Sequence, residues 1–524
     1  MLVKVKVQEK RRESHTTHFQ EQQFVYLKPH MDPRIIKMSG RYILREENSR
    51  TILRLPSDNS ESTTIGAFVA GTFMSWTSPA LPLLQANNSV PYITSEEGSW
   101  IGSLLNLGAF IGAIPAGILA DHIGRRTTLC GLAVPFFVSW LMIAFCSSAL
   151  ELYVGRIMGG MAVGAVSVVA PMYISELADS KVRGALGTFF QLQITLGILC
   201  GYLVGMVGDH RVLAFILSVL PVVYFVSFIW MPESPVYLLS KDKLNEAKRS
   251  LQWFRGSNYD IEDEMVRMTE SSGDSQKRKG GLGELLSNPV TRKALTIALG
   301  LMTFQQLSGI NAVIFYTGQI FDLAGSSIPS TTACIIIGVV QVIATYVSTL
   351  LVDRAGRRIL LLISDSVMAL CLGVLGAYFH LLNNNYDTSD VSWVPIVSVA
   401  TFIVVFSLGF GPIPWIMLGE LFPANVKGIA SAVAAAFSWI LSFAVTKAFQ
   451  NMTRSLGEDI TFWVFTGICV IGTIFVFVMV PETKGKDLNE IQEELSGKPN
   501  NVELKMVESD DGIKTENIIF RLPD

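Results

Sequence analysis

About twelve blocks of roughly twenty apolar residues run through this sequence, and they constrain its fold more than any other feature. A helix of ~20 residues crosses the ~30 Å hydrocarbon core of a bilayer. Backbone groups facing hydrocarbon must be paired within the segment, so each block must be a helix. The composition agrees, because 50% of the 524 residues are hydrophobic and 16% are charged, against about 25% charged residues in a soluble domain. We therefore predict an all-α membrane protein.

Six predicted spans precede a polar central loop and six follow it. The first six are 64–84, 100–120, 127–147, 151–175, 185–207 and 212–231. The second six are 293–317, 330–352, 359–381, 393–418, 429–449 and 461–480. The remaining parts are an N-terminal tail (1–63), a central loop (232–292) and a C-terminal tail (481–524), around two six-helix halves (64–231 and 293–480). No apolar stretch typical of a cleavable signal peptide precedes the first span.

Lysines and arginines in the short loops predict the orientation, because cytoplasmic loops carry an excess of them. On one side they are, besides those of the central loop, Arg125, Arg126, Lys181, Arg183, Arg354, Arg357, Arg358 and Lys427. The opposite side holds Arg211, Lys447 and Arg454. We predict a multi-pass protein of the plasma membrane with its basic side and both tails in the cytoplasm. The opposite side carries two N-glycosylation triplets, at Asn87 and Asn451; helix capping is the alternative role for Asn451.

Features of other functional classes are missing from the sequence. It has no nucleophile–base set, no phosphate-cradling loop and no paired histidines, so we predict neither an enzyme nor a cofactor or metal site. The six cysteines lie in or beside apolar blocks without metal-like spacing and are expected to be free thiols. The net charge of −3 gives no reason to expect a nucleic-acid partner. The predicted partners are a substrate and the lipid bilayer, with the monomer as the functional form.

Three charged motifs recur in the same order in both halves. Asp-x-x-Gly-Arg-Arg ends at Arg126, and a similar motif ends at Arg358; a glutamate then precedes a basic-Gly pair by seven residues, and each half closes with Pro-Glu. Acids and arginines at helix ends form charge-assisted hydrogen bonds, which could close the basic side in one conformation. Simple membrane anchoring by the arginines is the alternative. The residues predicted for this gating network are Asp121, Arg125, Arg126, Glu176, Arg183, Glu233, Asp353, Arg357, Arg358, Glu420, Lys427 and Glu482.

With further motifs, this repeat resembles a known family. The further motifs are Gly155-Arg156, Pro232–Pro235, Gln305–Asn311, Gly409–Trp415 and Pro481–Gly485. From roughly 64 to 490 the chain is similar to sugar porters of the major facilitator superfamily, close to facilitative glucose transporters and insect trehalose transporters. The resemblance implies two helical halves with a sugar site between them, near the middle of the membrane.

Polar side chains inside the spans suit such a site, because they are costly at bilayer depth and usually face a cavity. Amides supply donors and acceptors for sugar hydroxyls, and an indole stacks on the ring. Hydrogen bonding between helices is the alternative role. The resemblance implies sugar contacts by Gln191, Gln305, Gln306, Asn311, Gln341 and Trp415, with Phe315 and Tyr316 closing the outer side. Gln341 and Ser407 depart from glucose-type members, which leaves a hexose and trehalose both open.

The acids inside the spans bear on coupling to protons. Proton-coupled relatives carry an aspartate in the first span, whereas the matching stretch Gly71–Trp76 has no acid. Asp365 is expected to pair locally, Arg156 to be structural and Trp439 to be packing. We therefore predict facilitative transport by alternating access. A proton-coupled symporter and a non-transporting sugar sensor are the alternatives, which uptake and its pH dependence would separate.

Overall fold

The computed structural model divides into residues 1–54 and 55–524. In the first unit, strands β1 (Val3–Lys6) and β2 (Phe24–Leu27) pair antiparallel, with Val3 opposite Leu27. The second unit is helical. The structure describes residues 3–6, 24–27, 60–87, 89–177, 183–256, 259–262, 264–266, 268–269, 282–325, 329–486 and 488–496.

The helices before the central loop form what we call the first group. They are α1 (Ser60–Ser75), α2 (Thr77–Leu84), α3 (Ser95–Ile123), α4 (Arg125–Gly131), α5 (Ala133–Ala144), α6 (Ala149–Leu177), α7 (Arg183–Val204) and α8 (His210–Phe228). Local capping explains several starts. Thr94 and Glu97 form a reciprocal capping box at α3, and the Asp209 carboxylate accepts from the first backbone N–H groups of α8.

Short helices lie in the central loop, and the second group follows. The loop contains α9 (Pro235–Ser240), α10 (Leu244–Arg255) and α11 (Leu282–Ser287). The second group is α12 (Pro289–Leu307), α13 (Ile310–Leu323), α14 (Ser330–Ala355), α15 (Arg357–Asn383), α16 (Val394–Leu408), α17 (Ile413–Leu421), α18 (Ala424–Leu456) and α19 (Glu458–Met479). A last helix, α20 (Leu488–Ser496), follows it.

Eleven helical stretches in the described part of the chain are long and apolar enough to cross a membrane. The twelfth prediction, 64–84, corresponds to α1 and α2, which are divided at Trp76. Backbone hydrogen bonds continue across Trp76, from its N–H to Thr72 O and from Ala80 N–H to its carbonyl, both at 3.1 Å. The helix weakens here because Pro79 has no N–H for the carbonyl of Ser75. The all-α prediction for the membrane part is confirmed.

Glycines set the distance between α3 and α6, the most closely packed helices of the first group. A Cβ on Gly108 would lie 2.2 Å from the carbonyl oxygen of Ile157, and one on Gly160 would lie 2.1 Å from that of Leu105. No side chain fits, so the two backbones approach directly. Close backbone contact of this kind holds membrane helices together where the hydrophobic effect cannot.

Replacing Gly160 by alanine should therefore destabilise the protein, by ~1–3 kcal/mol if the helices separate to relieve the overlap. The matched control is Gly117→Ala in α3, where nothing lies within 4 Å of the added Cβ. Thermal unfolding in detergent should show a lower Tm for Gly160→Ala and an unchanged or slightly higher Tm for the control. Equal melting of both variants would contradict the packing argument.

Candidate functional site

Two helix breaks in the second group lie side by side. The first is Gly309, whose left-handed backbone (φ 85°) separates α12 from α13. The Ser308 hydroxyl donates to the Gln305 carbonyl at 2.8 Å, just before this break. The second break is the Gly409–Pro412 segment between α16 and α17.

Prolines at the second break leave two backbone carbonyls without helical partners. The carbonyls of Leu408 and Phe410 would accept from residues 412 and 414, but both are prolines and have no N–H. Side chains replace them: Ser348 donates to Leu408 O at 3.3 Å. Gln305 Nε2 donates to Phe410 O at 2.5 Å and to Gly411 O at 3.0 Å. Gln305 thereby joins the two breaks.

A chain of amides continues from Gln305 towards α18. Gln306 Nε2 lies 3.4 Å from Gln305 Oε1 and donates to the Ser438 hydroxyl at 2.7 Å. Asn311 donates to Gln306 Oε1 and, at 2.8 Å, to the Ser442 hydroxyl. Gln305, Gln306 and Asn311 are all buried. The cluster expected from the sequence is present, and its members bond both to one another and to a neighbouring helix.

The aromatic residues predicted near these amides differ in exposure. Phe315 and Tyr316 are fully buried, whereas Trp415, in the first turn of α17, is half-buried. Tyr316 has non-helical dihedrals (φ −118°, ψ 18°) that bend α13, and it stacks on Phe449 with ring centroids 5.4 Å apart. Its hydroxyl donates to the carbonyl of Thr446 at 3.4 Å. The bend places an aromatic pair between α13 and α18.

Gln191 lies on the face of α7 that is turned towards the second group. Tyr202 marks that face, because its hydroxyl donates to Ile314 O of α13 at 2.8 Å. Gln191 precedes Tyr202 by three helical turns and is in line with it. Gln193 instead lines up with Gly197, whose added Cβ would meet Phe68 O of α1 at 2.0 Å. Both glutamines are half-buried, on different faces.

The two residues that depart from glucose-type members are both buried. Gln341 in α14 is 2% exposed, and its Oε1 has no hydrogen-bond partner in the described part of the chain. Ser407 lies at the end of α16, immediately before the second break. Leaving a buried amide oxygen unpaired is unfavourable. Gln341 Oε1 is such an acceptor, and the described residues supply no donor for it in this conformation.

The charged motifs of the first group form a cluster at one end of the helices, which we call the basic end. Arg125 Nη2 lies 3.0 Å from Glu176 Oε1 and 3.0 Å from Asp121 Oδ1. Glu176 also accepts from Ser234. Glu233 accepts from the Arg126 N–H at 2.9 Å, in the first turn of α4. All residues of this cluster therefore belong to the first group or to the start of the central loop.

The second group repeats this cluster with equivalent residues. Arg357 lies 3.1 Å from Glu420, which also accepts from Thr483 at 2.6 Å. Glu482 accepts from the N–H groups of Arg357 at 2.9 Å and Arg358 at 3.1 Å. The turns match as well, since Gly124 and Gly356 have φ of 102° and 94°, which other residues rarely adopt. The sequence repeat is therefore also a repeat of contacts.

Lys427 donates to the carbonyl of Gly419, the residue before Glu420, at 3.1 Å. The side chains of Arg183 and Asp353 lie outside the described residues. Asn87 and Asn451 are exposed. Asn451 lies inside α18, five residues before the helix ends, so the alternative of a helix-capping role is wrong.

Arg156 is fully buried in α6 and bonds only to neutral groups in the described part of the chain. It donates to Phe73 O at 2.7 Å, Thr77 Oγ1 at 2.9 Å and Ile101 O at 3.1 Å, and its guanidinium lies 5.3 Å from the Trp76 ring centroid. These contacts brace the division between α1 and α2, as expected for a structural residue.

Asp365 does not pair as expected. It is fully buried between α15 and α19, beside Cys469, Gly472 and Thr473, and forms no ion pair among the described residues. Arg358, the arginine nearest to Asp365 in the sequence, also faces α19 but donates to Phe477 O at 2.5 Å.

Polar residues of α18 belong to the site although they were not predicted from the sequence. Ser438, Ser442 and Thr446 are buried, four residues apart, and contact Gln306, Asn311 and Asn106 respectively. Their regular spacing in an apolar helix was the available signal. Trp439, expected to be packing, is buried but also donates to Ser167 Oγ at 3.2 Å, which joins α18 to α6.

The side-chain positions in the described part of the chain define the state of its cysteines and of its possible metal ligands. All six cysteines are free thiols. The residues that the structure describes contain no cluster of three or more His, Cys, Asp or Glu side chains able to hold a metal ion. The arrangement can bind a neutral polar molecule through amides, hydroxyls and aromatic rings.

Comparisons with known proteins agree with this architecture. The family model "Sugar (and other) transporter" matches residues 58–495. The facilitated trehalose transporter Tret1 of Culex quinquefasciatus is 41% identical over 439 residues, 83% of this chain and 85% of that protein. Tret1 of Bombyx mori is 42% identical over 432 residues, 82% and 85% of the two chains. In Anopheles gambiae the 41% identical match covers 83% of this chain but 55% of Tret1, so this chain spans about half of that relative.

Solved structures show the same fold. The E. coli xylose transporter XylE, in a partially occluded inward open conformation, superposes with a TM-score of 0.69 at 26% identity over 82% of this chain and 98% of XylE. XylE bound to 6-bromo-6-deoxy-D-glucose, described as a major facilitator superfamily proton:xylose symporter, gives the same TM-score and identity over 84% and 98%. The chain therefore belongs to the sugar (and other) transporter family and has the major facilitator fold.

Proposed function

We propose that this chain carries a neutral sugar, a glucose-like hexose or trehalose, through a membrane by facilitated diffusion. The observation that carries the proposal is the buried amide cluster at two adjoining helix breaks. Gln305, Gln306 and Asn311 offer both donors and acceptors in a charge-free setting, which matches the hydroxyls of a neutral sugar. Trehalose is among the candidates because the matched insect relatives are named as trehalose transporters.

Alternating access between the two groups is the proposed mechanism. At the end opposite the basic end, α13 contacts the first group through Tyr202, through Ser78, whose hydroxyl accepts from the Gly318 N–H at 3.0 Å, and through Gln319, 3.2 Å from Gln85. Helix α13 begins at Ile310, beside the amide cluster. If these contacts separate, the site opens to the side on which they lie, away from the basic end. The halves 64–231 and 293–480 would rock as units in this motion.

Uncoupled transport is favoured by the surroundings of Arg156. XylE is described as a proton symporter, and a symporter needs an ionisable acid that both sides can reach. Arg156 instead bonds to two carbonyls and a threonine hydroxyl. The buried acid Asp365 lies between two helices of the same group and has no hydrogen bond to the amide cluster among the described residues. We therefore favour uniport over symport.

The two charge clusters are proposed to control closure at the basic end, which would face the cytoplasm together with the tails 1–63 and 481–524 and the loop 232–292. Each cluster ties helix ends of its own group together. Their arginines and carboxylates would stabilise the groups as bodies and favour the conformation in which the basic end is closed. The opposite end would then face outwards at the plasma membrane, with Asn87 and Asn451 as glycosylation sites.

Uptake of labelled glucose and trehalose in oocytes, at two pH values, tests the transport proposal. We expect saturable uptake of one sugar that does not change with pH. Gln191→Ala should raise the KM about tenfold, because a hydrogen bond to the sugar is lost, whereas Gln193→Ala should leave it unchanged. Absence of uptake of both sugars despite surface expression would contradict transport, and pH-driven accumulation would replace uniport by symport.

Neutralising Glu176 or Glu420, the arginine partners in the two charge clusters, should make the basic end more accessible to solvent. Glu176→Gln and Glu420→Gln each weaken an arginine contact, so a cysteine placed at Gly428, near that end of α18, should react several times faster with an impermeant maleimide in inside-out vesicles. The control Glu262→Gln removes an exposed ion pair, in which Lys248 Nζ lies 2.9 Å from Glu262 Oε1. Unchanged reaction rates in both cluster variants would refute the gating role.

Lowering the pH should weaken the second cluster by protonating Glu482. Burial alone would raise the pKa of Glu482, but the N–H groups of Lys484, Arg357 and Arg358 outweigh it and hold the pKa below its usual value. The stabilisation is therefore present above the unfolded pKa of about 4.3 and is lost as pH falls through the lower, folded pKa. Glu482→Gln should lower the Tm by about 1 °C at pH 7, as expected for a loss of ~1 kcal/mol in a chain of this length.

The difference in Tm between wild type and Glu482→Gln should disappear as the pH falls below about 4. Glu493→Gln, on the exposed surface of α20, provides the matched control and should melt like wild type at each pH. A difference that stays constant down to pH 3 would mean that the charge of Glu482 does not contribute.

A further inference from the structure

Lys447 of α18 forms an ion pair with the first turn of α3, at the end of the helices opposite the basic end. Its Nζ lies 2.6 Å from Glu96 Oε1 and 2.6 Å from the Ser99 hydroxyl. The ammonium group also lies 4.2 Å from the centroid of the Trp100 ring, within cation–π distance. Two polar groups and one aromatic ring near the start of α3 therefore surround a single lysine.

The lysine is largely removed from water. Its side chain is 16% exposed, whereas Glu96 is 52% exposed. Trp100 packs against Phe443, one turn before Lys447, with centroids 6.4 Å apart. A second polar contact joins the same helices deeper in the membrane, where Asn106 donates to Thr446 Oγ1 at 3.0 Å.

The position of this pair differs from that of the charge clusters. In this conformation each cluster at the basic end draws its members from one group. Lys447 and Glu96 belong to different groups and lie at the end where the groups are in contact. Any movement that opens this end must pull Lys447 away from Glu96, Ser99 and the Trp100 ring together.

We propose that Lys447 and the Glu96–Ser99–Trp100 turn form a latch that holds this end closed and sets the balance between the two open states. The inference rests on alternating access as the proposed function. Removing the latch should shift the population towards the state open at this end by about tenfold, as expected from losing charge-assisted hydrogen bonds. The latch acts by positioning the helices and makes no contact with the sugar.

Distances between spin labels at Tyr92→Cys and Leu456→Cys test the latch. These exposed residues lie at this end, one in each group. Lys447→Met removes the charge and keeps the apolar stem, Lys447→Arg keeps the charge, and Glu96→Gln removes the acid. Asp459→Asn is the matched control, because its 2.9 Å contact with His380 lies at the same end but within the second group.

We expect Lys447→Met and Glu96→Gln to increase the long-distance population about tenfold, and Lys447→Arg and Asp459→Asn to resemble wild type. Unchanged distances in Lys447→Met and Glu96→Gln, with normal elution and melting, would overturn the latch. An equal shift in Asp459→Asn would overturn it as well. Sugar uptake by wild type is measured separately: its absence refutes the proposed transport function, whereas the spin-label distances decide the latch.

Discussion

A backbone carbonyl without a donor is hard to accommodate inside a membrane, and this constraint governs the second group of helices. Pro412 and Pro414 leave the carbonyls of Leu408 and Phe410 without helical partners. Ser348 and Gln305 supply donors from two other helices. The break in α16–α17 therefore exists only as part of a four-helix arrangement, and the neighbouring break at Gly309 brings Gln305 to the required place.

The fold could be predicted from the sequence because its signals are local. The apolar blocks give the helices, and Gly309 and the Gly-Pro-Ile-Pro segment give the breaks. The matching of Glu176 with Arg125, and of Glu420 with Arg357, follows from a repeat that is visible in one dimension. These features depend on residues near in sequence or on a duplicated pattern, and both can be identified without knowing how the helices pack.

The partners of polar side chains could not be predicted in this way. The sequence indicates that Gln306 and Asn311 are unusual, but the hydroxyls that they contact come from Ser438 and Ser442, more than a hundred residues away. The local pairing expected for Asp365 was wrong for the same reason, because its neighbours Cys469 and Thr473 and the acceptor of Arg358 all come from α19, about a hundred residues away. The division at Trp76 was missed because hydropathy averages over the two short helices.

The commitment of Gln305 has a thermodynamic consequence. Its amide nitrogen already serves two carbonyls of the break between α16 and α17, so a ligand hydroxyl that takes this nitrogen competes with the joint between the helices. Ligand binding and the geometry of the second break are then coupled. If binding shifts the equilibrium of the break by some factor, a change in the break shifts the ligand affinity by the same factor. Under the proposed function, binding of the sugar by Gln305 and the geometry of this helix break are therefore parts of one equilibrium.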